Sequence, residues 1–592
     1  MTPLSEYRRR LAEYEAAVQR FTSMASRIGN ARLAVALAGV FLFWLVFVHR
    51  GASPWWLPLP VVVFVVLMIR HDAALRGQKL SQRAVKLYQD GLARLDGSWA
   101  GRGVSGSEYE PADHAYAASL DLFGRNSLFE LLCTARTRGG EETLAQWLLH
   151  GSSKLEVEAR QGAVRDLQPR VELREQLALM GEDVRAGVHP DTLMRWGTSP
   201  PVGLTVGHRA AAILLPVCTL ASFGIWAATG IRIPFLVALL AQISFSYLMR
   251  PKVFQVLNGL EEPSRELGLI ASLLDRLEKE DFTAPRLLEL RGSLEKGGVS
   301  PSKQVAGLAR LVGLLDLRRN QLFAPIGLIL LWGLNCSWAI ERWRRVHGPS
   351  IPQWLRTLGE MEALLALAGY AWEHPEDRFP VIVEGRPAIH GEDLAHPLLP
   401  PGRVVANSIR LDAEQPLIVI SGSNMSGKST MLRTVGVSVV MALAGAPVRA
   451  KQLTLSPVTV GASIRVVDSL QEGNSRFFAE IVLLRRIVEL TKQGPPLLFL
   501  LDEVLSGTNS HDRRIGAAGV IQGLVKRGAI GLVTTHDLAL THIAEQVEPH
   551  GVNMHFEDRM EDGQMKFDYT IRPGVVAKSN ALELMRSIGL EV

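Results

Sequence analysis

The chain has 592 residues, 47% of them hydrophobic, with 64 Lys and Arg against 59 Asp and Glu for a formal net charge of +5. That length is too great for one domain and suits about three or four, while the near-balanced charge allows contact with nucleic acid or acidic lipid without arguing for either. Cys133, Cys218 and Cys336 lack paired spacing, which excludes a disulfide framework and a cysteine metal cluster and suits a reducing compartment.

The mean hydropathy of +0.13 is high for a soluble enzyme, and the excess is local. At the N-terminus, Tyr7, Leu11, Tyr14, Val18 and Phe21 recur at alternating spacings of four and three. That is a coiled-coil type of seam, with Leu80, Ala84 and Leu87 as a weaker matching seam further on. The simplest picture is an antiparallel helical stalk, although the seam could equally pack on the body of the protein. Between the seams lie two uncharged apolar segments, 33–48 and 55–69, near the lower length limit of a bilayer span. Trp55 and Trp56 stand where an interfacial aromatic belt would lie. The apolar stretch starts after a charged helix and no small-residue cleavage site follows, so a cleaved signal peptide is not expected.

Residues from about 110 to 208 read as helical. Segment 127–150 carries Leu128, Leu131, Leu132, Leu144, Trp147 and Leu148 at helical spacing, with a break expected at Gly139-Gly140. A second apolar pair follows, 210–229 and 233–249. Arg32, Arg70, Arg76, Arg209, Arg250 and Lys252 flank the outer ends of the pairs, and the short connecting turns carry only Arg50 and Arg232. By the positive-inside rule both pairs are hairpins dipping in from the cytoplasm. Residues 251–320 are again helical and charged, with breaks expected at Pro263 and Gly297-Gly298. A fifth apolar stretch, 322–340, has the length of a span but is interrupted by Asn335 and followed by Glu341, Arg342, Arg344 and Arg345. It reads as one long buried helix of the soluble part, the alternative being a fifth crossing, which would put the P-loop and the first soluble segment on opposite sides of the membrane. Residues 373–415 are rich in Pro and Gly with short β-like runs.

The chemistry begins at Gly422-Ser423-Asn424-Met425-Ser426-Gly427-Lys428-Ser429, the eight-residue pattern of a phosphate-binding P-loop, continued by Thr430. The apolar run 417–420 leads in as a buried strand and a helix-like stretch, 431–443, leads out. In that setting backbone N–H groups curl around an anion at a helix N-terminus. Lys428 reaches the β- and γ-phosphates of ATP, and the Ser429 hydroxyl holds Mg²⁺. The apolar strand 497–501 ends in Asp502-Glu503, a Walker B pattern: Asp502 faces the metal ion and Glu503 polarises the attacking water. Ser506 to Asp512 is a polar turn suited to a subunit contact. A further strand, 530–534, ends in Thr535-His536, where His536 is positioned to sense the γ-phosphate. Lys428, Glu503 and His536 are therefore the candidate catalytic residues.

This set resembles the C-terminal ATPase domain of the MutS family of DNA mismatch-repair proteins. Asn424-Met425 before the second glycine, and Asp502-Glu503 followed by Gly507-Thr508, look like that family's forms. The segment from Asp468 through Gly473-Asn474-Ser475-Arg476 to Glu480 is similar to its signature loop and following helix. The resemblance implies that Ser475 approaches the γ-phosphate held by the other subunit of a homodimer. His396-Pro397-Leu398 and Val405-Ala406-Asn407 look like the lead-in to that domain; 127–148, 160–167 and 353–380 look like parts of the family's helical core. There are departures. The stalk and first hairpin stand in place of a mismatch-reading domain, Val404 replaces an aromatic expected to stack on adenine, and Arg476 replaces a small hydroxyl residue.

The expected fold is an α/β P-loop NTPase of the ABC-type ATPase class over 373–592. Before it come a helical core and lever domain (101–372) interrupted by the second transmembrane hairpin, and a stalk with the first transmembrane hairpin (1–100). The expected function is that of a multi-pass ATPase of the inner membrane, with its ATPase domain in the cytoplasm, ATP and Mg²⁺ as cofactors, a homodimer as the working unit and DNA as the partner. Two alternatives stand beside it. One is a mechanochemical or scaffold ATPase that does not act on DNA. The other is an ABC-type transporter, against which Leu505-Ser506-Gly507 follows Walker B and no Leu-Ser-Gly-Gly-Gln signature precedes it.

Overall fold

The computed structural model describes residues 2–181, 190–258, 264–295, 300–320, 323–400, 402–423, 425–464, 476–492, 494–561 and 564–576. It divides into two compact units, Met1–Arg102 and Gly103–Val592.

The first unit is a helical hairpin of Pro3–Phe47 and Pro58–Asp96, joined through a short 3-10 turn at Pro54–Trp56. The two apolar segments are continuous with their flanking helices. The Tyr7 ring lies 5.4 Å from Tyr88, and Tyr14 stacks on Tyr88 at 5.9 Å. A Cβ on Gly91 would sit 2.6 Å from the Tyr7 ring, and one on Gly77 would sit 2.7 Å from Phe21. The partner seam is therefore Ala74, Gly77, Ser81, Ala84, Tyr88 and Gly91. Small residues let the aromatic rings of the first helix reach the backbone of the second. This corrects the expected seam: Ala84 belongs to it, but Leu80 points outward.

The second unit begins with helices. Ser127 caps a short helix, Leu128–Leu132, and Thr137 caps another, Arg138–Leu149. The chain turns at 133–137, and Gly139-Gly140 falls inside the first turn of the second helix rather than at the break. The reason is packing. A Cβ on Gly140 would lie 2.5 Å from Glu362 Oε2. Glu362 accepts from the N–H groups of Arg136 and Thr137 at 3.1 and 3.2 Å, capping that helix from the central Ile351–Glu373 helix. Desolvation pushes the Glu362 carboxyl up to about 7 despite these donors.

The expected long helix at 322–340 is instead two helices, Ala324–Ile329 and Trp332–His347, broken at Leu331, whose φ of 49° is left-handed. Nor is its first part buried, since Ile326 and Leu328 are exposed. The second apolar pair forms helices Val206–Thr229 and Ile233–Leu257, with Phe223 and Trp226 against Phe235. Among the described residues, four helices are long and apolar enough to cross a membrane by length and composition: the two of each pair. The breaks expected at Pro263 and Gly297-Gly298 lie outside the described residues.

Among the described residues ten strands follow: β1 (Val381–Ile382), β2 (Ala388–Leu394), β3 (Asn407–Asp412), β4 (Leu417–Ser421), β5 (Gln452–Leu455), β6 (Thr459–Ser463), β7 (Leu497–Asp502), β8 (Ile530–Thr535), β9 (Val552–Glu561) and β10 (Gln564–Pro573). A four-stranded sheet runs β1-β5-β2-β3 and a six-stranded sheet runs β10-β9-β4-β8-β7-β6. In the large sheet all pairings are parallel except β9 with β10. Strands β4 and β8 are buried along their whole length and β7 up to Asp502, as expected of central parallel strands, with polar residues only at their carboxyl ends. Register pairs Ser421 with Thr535 and Asp502 with Thr534. The ends of these three strands therefore meet at one carboxyl edge, the usual ligand edge of a parallel sheet.

Candidate functional site

At that edge the chain leaves β4 through the glycine-rich loop and enters the helix Lys428–Ala444. Gly422 and Gly427 hold φ values of 153° and 107°. A Cβ on Gly422 would meet Ser426 Oγ at 2.9 Å, and one on Gly427 would meet the Tyr569 ring at 3.2 Å. Met425 is also left-handed, at φ 70°, and projects outward. The loop thus closes around a concave backbone surface at a helix N-terminus, the arrangement that favours an anion.

Lys428 is buried and its ammonium donates to the carbonyls of Gly422 and Ser423 at 2.8 and 2.7 Å. Its Nζ also lies 4.0 Å from Glu503 Oε1. Desolvation lowers its pKa, opposed by the charges of Glu503, Asp502 and Asp558. Ser429 Oγ donates to Asp502 Oδ2 at 2.6 Å, across 73 positions of sequence. The Thr534 hydroxyl donates to the other oxygen, Asp502 Oδ1, fixing the carboxylate plane. Glu503 has a left-handed φ of 47°. Its N–H donates to Thr534 O and Oγ1, both at 3.2 Å, and this anchors the strained residue. His536 Nδ1 stands 3.3 Å from Glu503 Oε1. Lys428, Ser429, Asp502, Glu503 and His536 are thus brought together, as their sequence positions predicted. Asn424 and Ser475 lie outside the described residues, as does most of the signature-like segment.

Among the described residues, the hydroxyls of Ser423 and Ser426 are buried and have no hydrogen-bond partner. Unpaired buried polar atoms in a loop of this shape fit a phosphate that would accept from them. The loop opens into a cavity of about 780 Å³ lined by Val404, Met425, Lys428, Thr430, Phe556 and Tyr569 among others, within the range of nucleotide-sized pockets. His396, also in its wall, is pushed down to about 4 by burial, and its Nδ1 accepts from Leu398 N–H at 3.3 Å. It is therefore neutral near pH 7, with its other nitrogen carrying the proton.

Two contributors were not singled out from sequence. Tyr569 sits at a register irregularity of β10, with φ 54°, beside the loop. Asn407 ties it there, donating to Tyr569 O at 2.9 Å and accepting from Ile571 N–H at 2.8 Å. No fixed spacing links Tyr569 to the P-loop; an aromatic in an alternating strand is an ordinary signal. Arg513 is the second. Its guanidinium donates to the carbonyls of Leu505 and Ser506 at 3.2 and 2.8 Å, fixing the turn after Glu503. From β6 outward, Ser119 Oγ donates to Ala462 O at 3.0 Å, while Arg433 of the loop's helix donates to Ser119 O at 3.1 Å. The segment leading into the helical layer is thereby fastened to the helix that starts at Lys428.

The family model described as MutS domain V matches residues 418–591. The chain is similar to the protein named Endonuclease MutS2 of Thermus thermophilus, at 32% identity over 260 residues, covering 42% of this chain and 32% of that protein. It is 34% identical over 243 residues to DNA mismatch repair protein MutS 2 of Halobacterium salinarum, covering 40% and 27%. It is 32% identical over 247 residues to DNA mismatch repair protein MutS of an Exiguobacterium species, covering 40% and 28%. The chain spans about a third or less of the length of these curated relatives.

Proposed function

The chain belongs to the MutS family through its domain V, and from that premise we propose that it is a membrane-anchored ATPase working as an ATP-closed homodimer on DNA. The observation that carries this reading is the cluster at one sheet edge: Lys428, the Ser429–Asp502 bond, and Glu503 beside His536, under the unpaired hydroxyls of Ser423 and Ser426.

In this reading the loop N–H groups and Lys428 hold the β- and γ-phosphoryl oxygens, and Lys428 offsets charge that builds on the transferred group. Ser429 Oγ and Asp502 would hold Mg²⁺, which when bound neutralises phosphate charge with few protein ligands. Thr534 keeps Asp502 in the orientation this requires. Glu503 orients a water and takes its proton, and His536 steadies the carboxylate by its contact at 3.3 Å. Tyr569, over the loop, takes the stacking role that Val404 cannot supply. Tyr569→Ala is accordingly expected to weaken nucleotide binding by about 1–3 kcal/mol with little change in kcat. A fluorescent-nucleotide titration alongside steady-state kinetics checks this; unchanged affinity removes Tyr569 from the site.

The γ-phosphate shifts the dimer equilibrium only by contacts it makes in the closed state and not in the open one. The fastening of Ser119 to Arg433 and Ala462 offers a route by which loop movement reaches the helical layer. The two helical pairs anchor the protein in the inner membrane with the ATPase domain in the cytoplasm, supported by their length, apolar composition and exposed side chains.

DNA is the partner because it is the partner named for the similar proteins. The test is DNA binding by the detergent-solubilised dimer across a salt series. Binding through phosphate contacts weakens with a slope of about −0.9 per contact in log–log form. No binding even at low salt would remove DNA and leave a mechanochemical ATPase.

A further inference from the structure

The break at Leu331 divides 324–347 into two helices, and polar side chains gather at the end of the first. Gln242, in the middle of the Ile233–Leu257 helix, is 3% exposed. Its Oε1 accepts from Thr219 Oγ1 at 2.7 Å, and its amide donates to Leu328 O and Ile329 O at 3.3 and 2.8 Å. Those are carbonyls of the last turn of Ala324–Ile329; Leu328 O also accepts from the Leu331 N–H at 3.3 Å, so among the described groups it is Ile329 O that the break at Leu331 leaves to the Gln242 amide. Asn335 completes the set, its amide lying 3.2 and 3.3 Å from Leu330 O and Leu331 O and 3.4 Å from Ala212 O of the neighbouring helix.

Ile329 O and Leu330 O are thus met by side chains, while Leu328 O and Leu331 O also accept backbone N–H groups, of Leu331 and of Leu334 and Asn335. The surrounding surface is apolar, with Ile326, Leu328 and Ile329 51%, 66% and 40% exposed. Water would satisfy such carbonyls at a surface without help; hydrocarbon would not. Non-helical backbone at bilayer depth is tolerated where protein groups satisfy it. The depth agrees. Gln242 lies about 15 Å along its helix from Lys252, and Thr219 about 15 Å from Arg209, close to half of a hydrocarbon core of about 30 Å. At the shallow end a polar and aromatic collar gathers. Arg209 packs 4.0 Å over the Trp338 ring, Arg342 lies 5.8 Å from the same ring, and Lys252 Nζ is 3.3 Å from His208 Nε2. Tryptophan with cationic side chains is the signature of a headgroup boundary. Phe323 meets Trp332 at 5.3 Å, so the first short helix runs down beside the start of the second and the chain turns back at its tip.

We propose that residues 324–335 form a re-entrant element that enters the cytoplasmic leaflet beside the second helical pair, its outer face covered by lipid acyl chains and its broken tip satisfied by Gln242 and Asn335. This rests on the membrane-anchored reading of that pair and adds to the four helices of the two pairs a fifth membrane-embedded segment, one that does not cross.

The test uses the full chain in phosphatidylethanolamine–phosphatidylglycerol vesicles, with Cys133→Ala and Cys336→Ala throughout. One form keeps the exposed Cys218 of the second pair as its only cysteine. Two others carry Cys218→Ser with either Leu328→Cys or Leu288→Cys, the latter on an exposed position of the helix Pro285–Glu295. Each is spin-labelled, and its collisions with dissolved oxygen and with an aqueous nickel chelate are compared. The expected result is an oxygen-to-nickel ratio at 328 matching that at 218 and several-fold above that at 288. A lipid-like 218 with a water-like 328 overturns the re-entrant element and leaves the anchor standing. A 328 label shielded from both collision partners overturns it too, because protein then covers the face. Water-like ratios at both 218 and 328 sink the anchor itself and the proposal with it.

Discussion

Lys428→Ala is expected to lower ATP turnover by at least about 10²-fold, the scale on which removal of one preorganised group facing developing charge acts. The folded protein should survive the change. Lys428 is buried, its charged form is disfavoured by desolvation, and what it holds without phosphate are two loop carbonyls, of Gly422 and Ser423. Truncation removes a buried cation with its own solvation cost, which offsets part of what the two loop carbonyls and Glu503 lose with it. Steady-state kinetics with thermal unfolding on the same preparation checks both halves. Turnover at the wild-type level would reject Lys428 as the phosphate-facing cation.

Glu503→Gln is expected to lower turnover by about 10²–10⁴-fold while ATP still binds. The substitution keeps the side chain's size and leaves the backbone N–H of residue 503, bonded to Thr534, as it is. It removes the base and changes the partner His536 faces at 3.3 Å. In the proposed cycle hydrolysis is what reopens the dimer, so this variant should accumulate as an ATP-held dimer. Light scattering of the detergent-solubilised variant in Mg-ATP and in Mg-ADP reads this directly. The expected outcome is a dimer in ATP that relaxes in ADP. The same mass in both nucleotides would separate hydrolysis from closure and contradict the cycle.

What could be read from the sequence was what is local. The strand into the loop, the octapeptide itself and the following helix are contiguous, so pattern and geometry coincide. Asp502-Glu503 and His536 were legible because each closes an apolar run, and parallel strands of one sheet place such ends on one edge. What could not be read depends on contacts distant in sequence. The stalk's second seam is built from glycines and alanines under Tyr7 and Phe21, and small residues carry no periodic hydrophobic signal. Asn335 looked like an interruption of one helix; its meaning depends on the break at Leu331 and on Gln242 from another helix. The role of Gly139-Gly140 is set by Glu362, more than two hundred positions away, whose carboxylate takes the space a side chain would need. Tyr569 reaches the loop only because β10 loses register and Asn407 ties it down.

Equilibrium binding of Mg-ATP to the purified wild-type chain, followed by calorimetry, bears most directly on the proposed nucleotide site at the carboxyl edge of the large sheet. Saturable binding of one nucleotide per chain is expected, competed by ADP and lost in Lys428→Ala. Absence of saturable binding in a folded preparation, or binding that Lys428→Ala leaves unchanged, would contradict it.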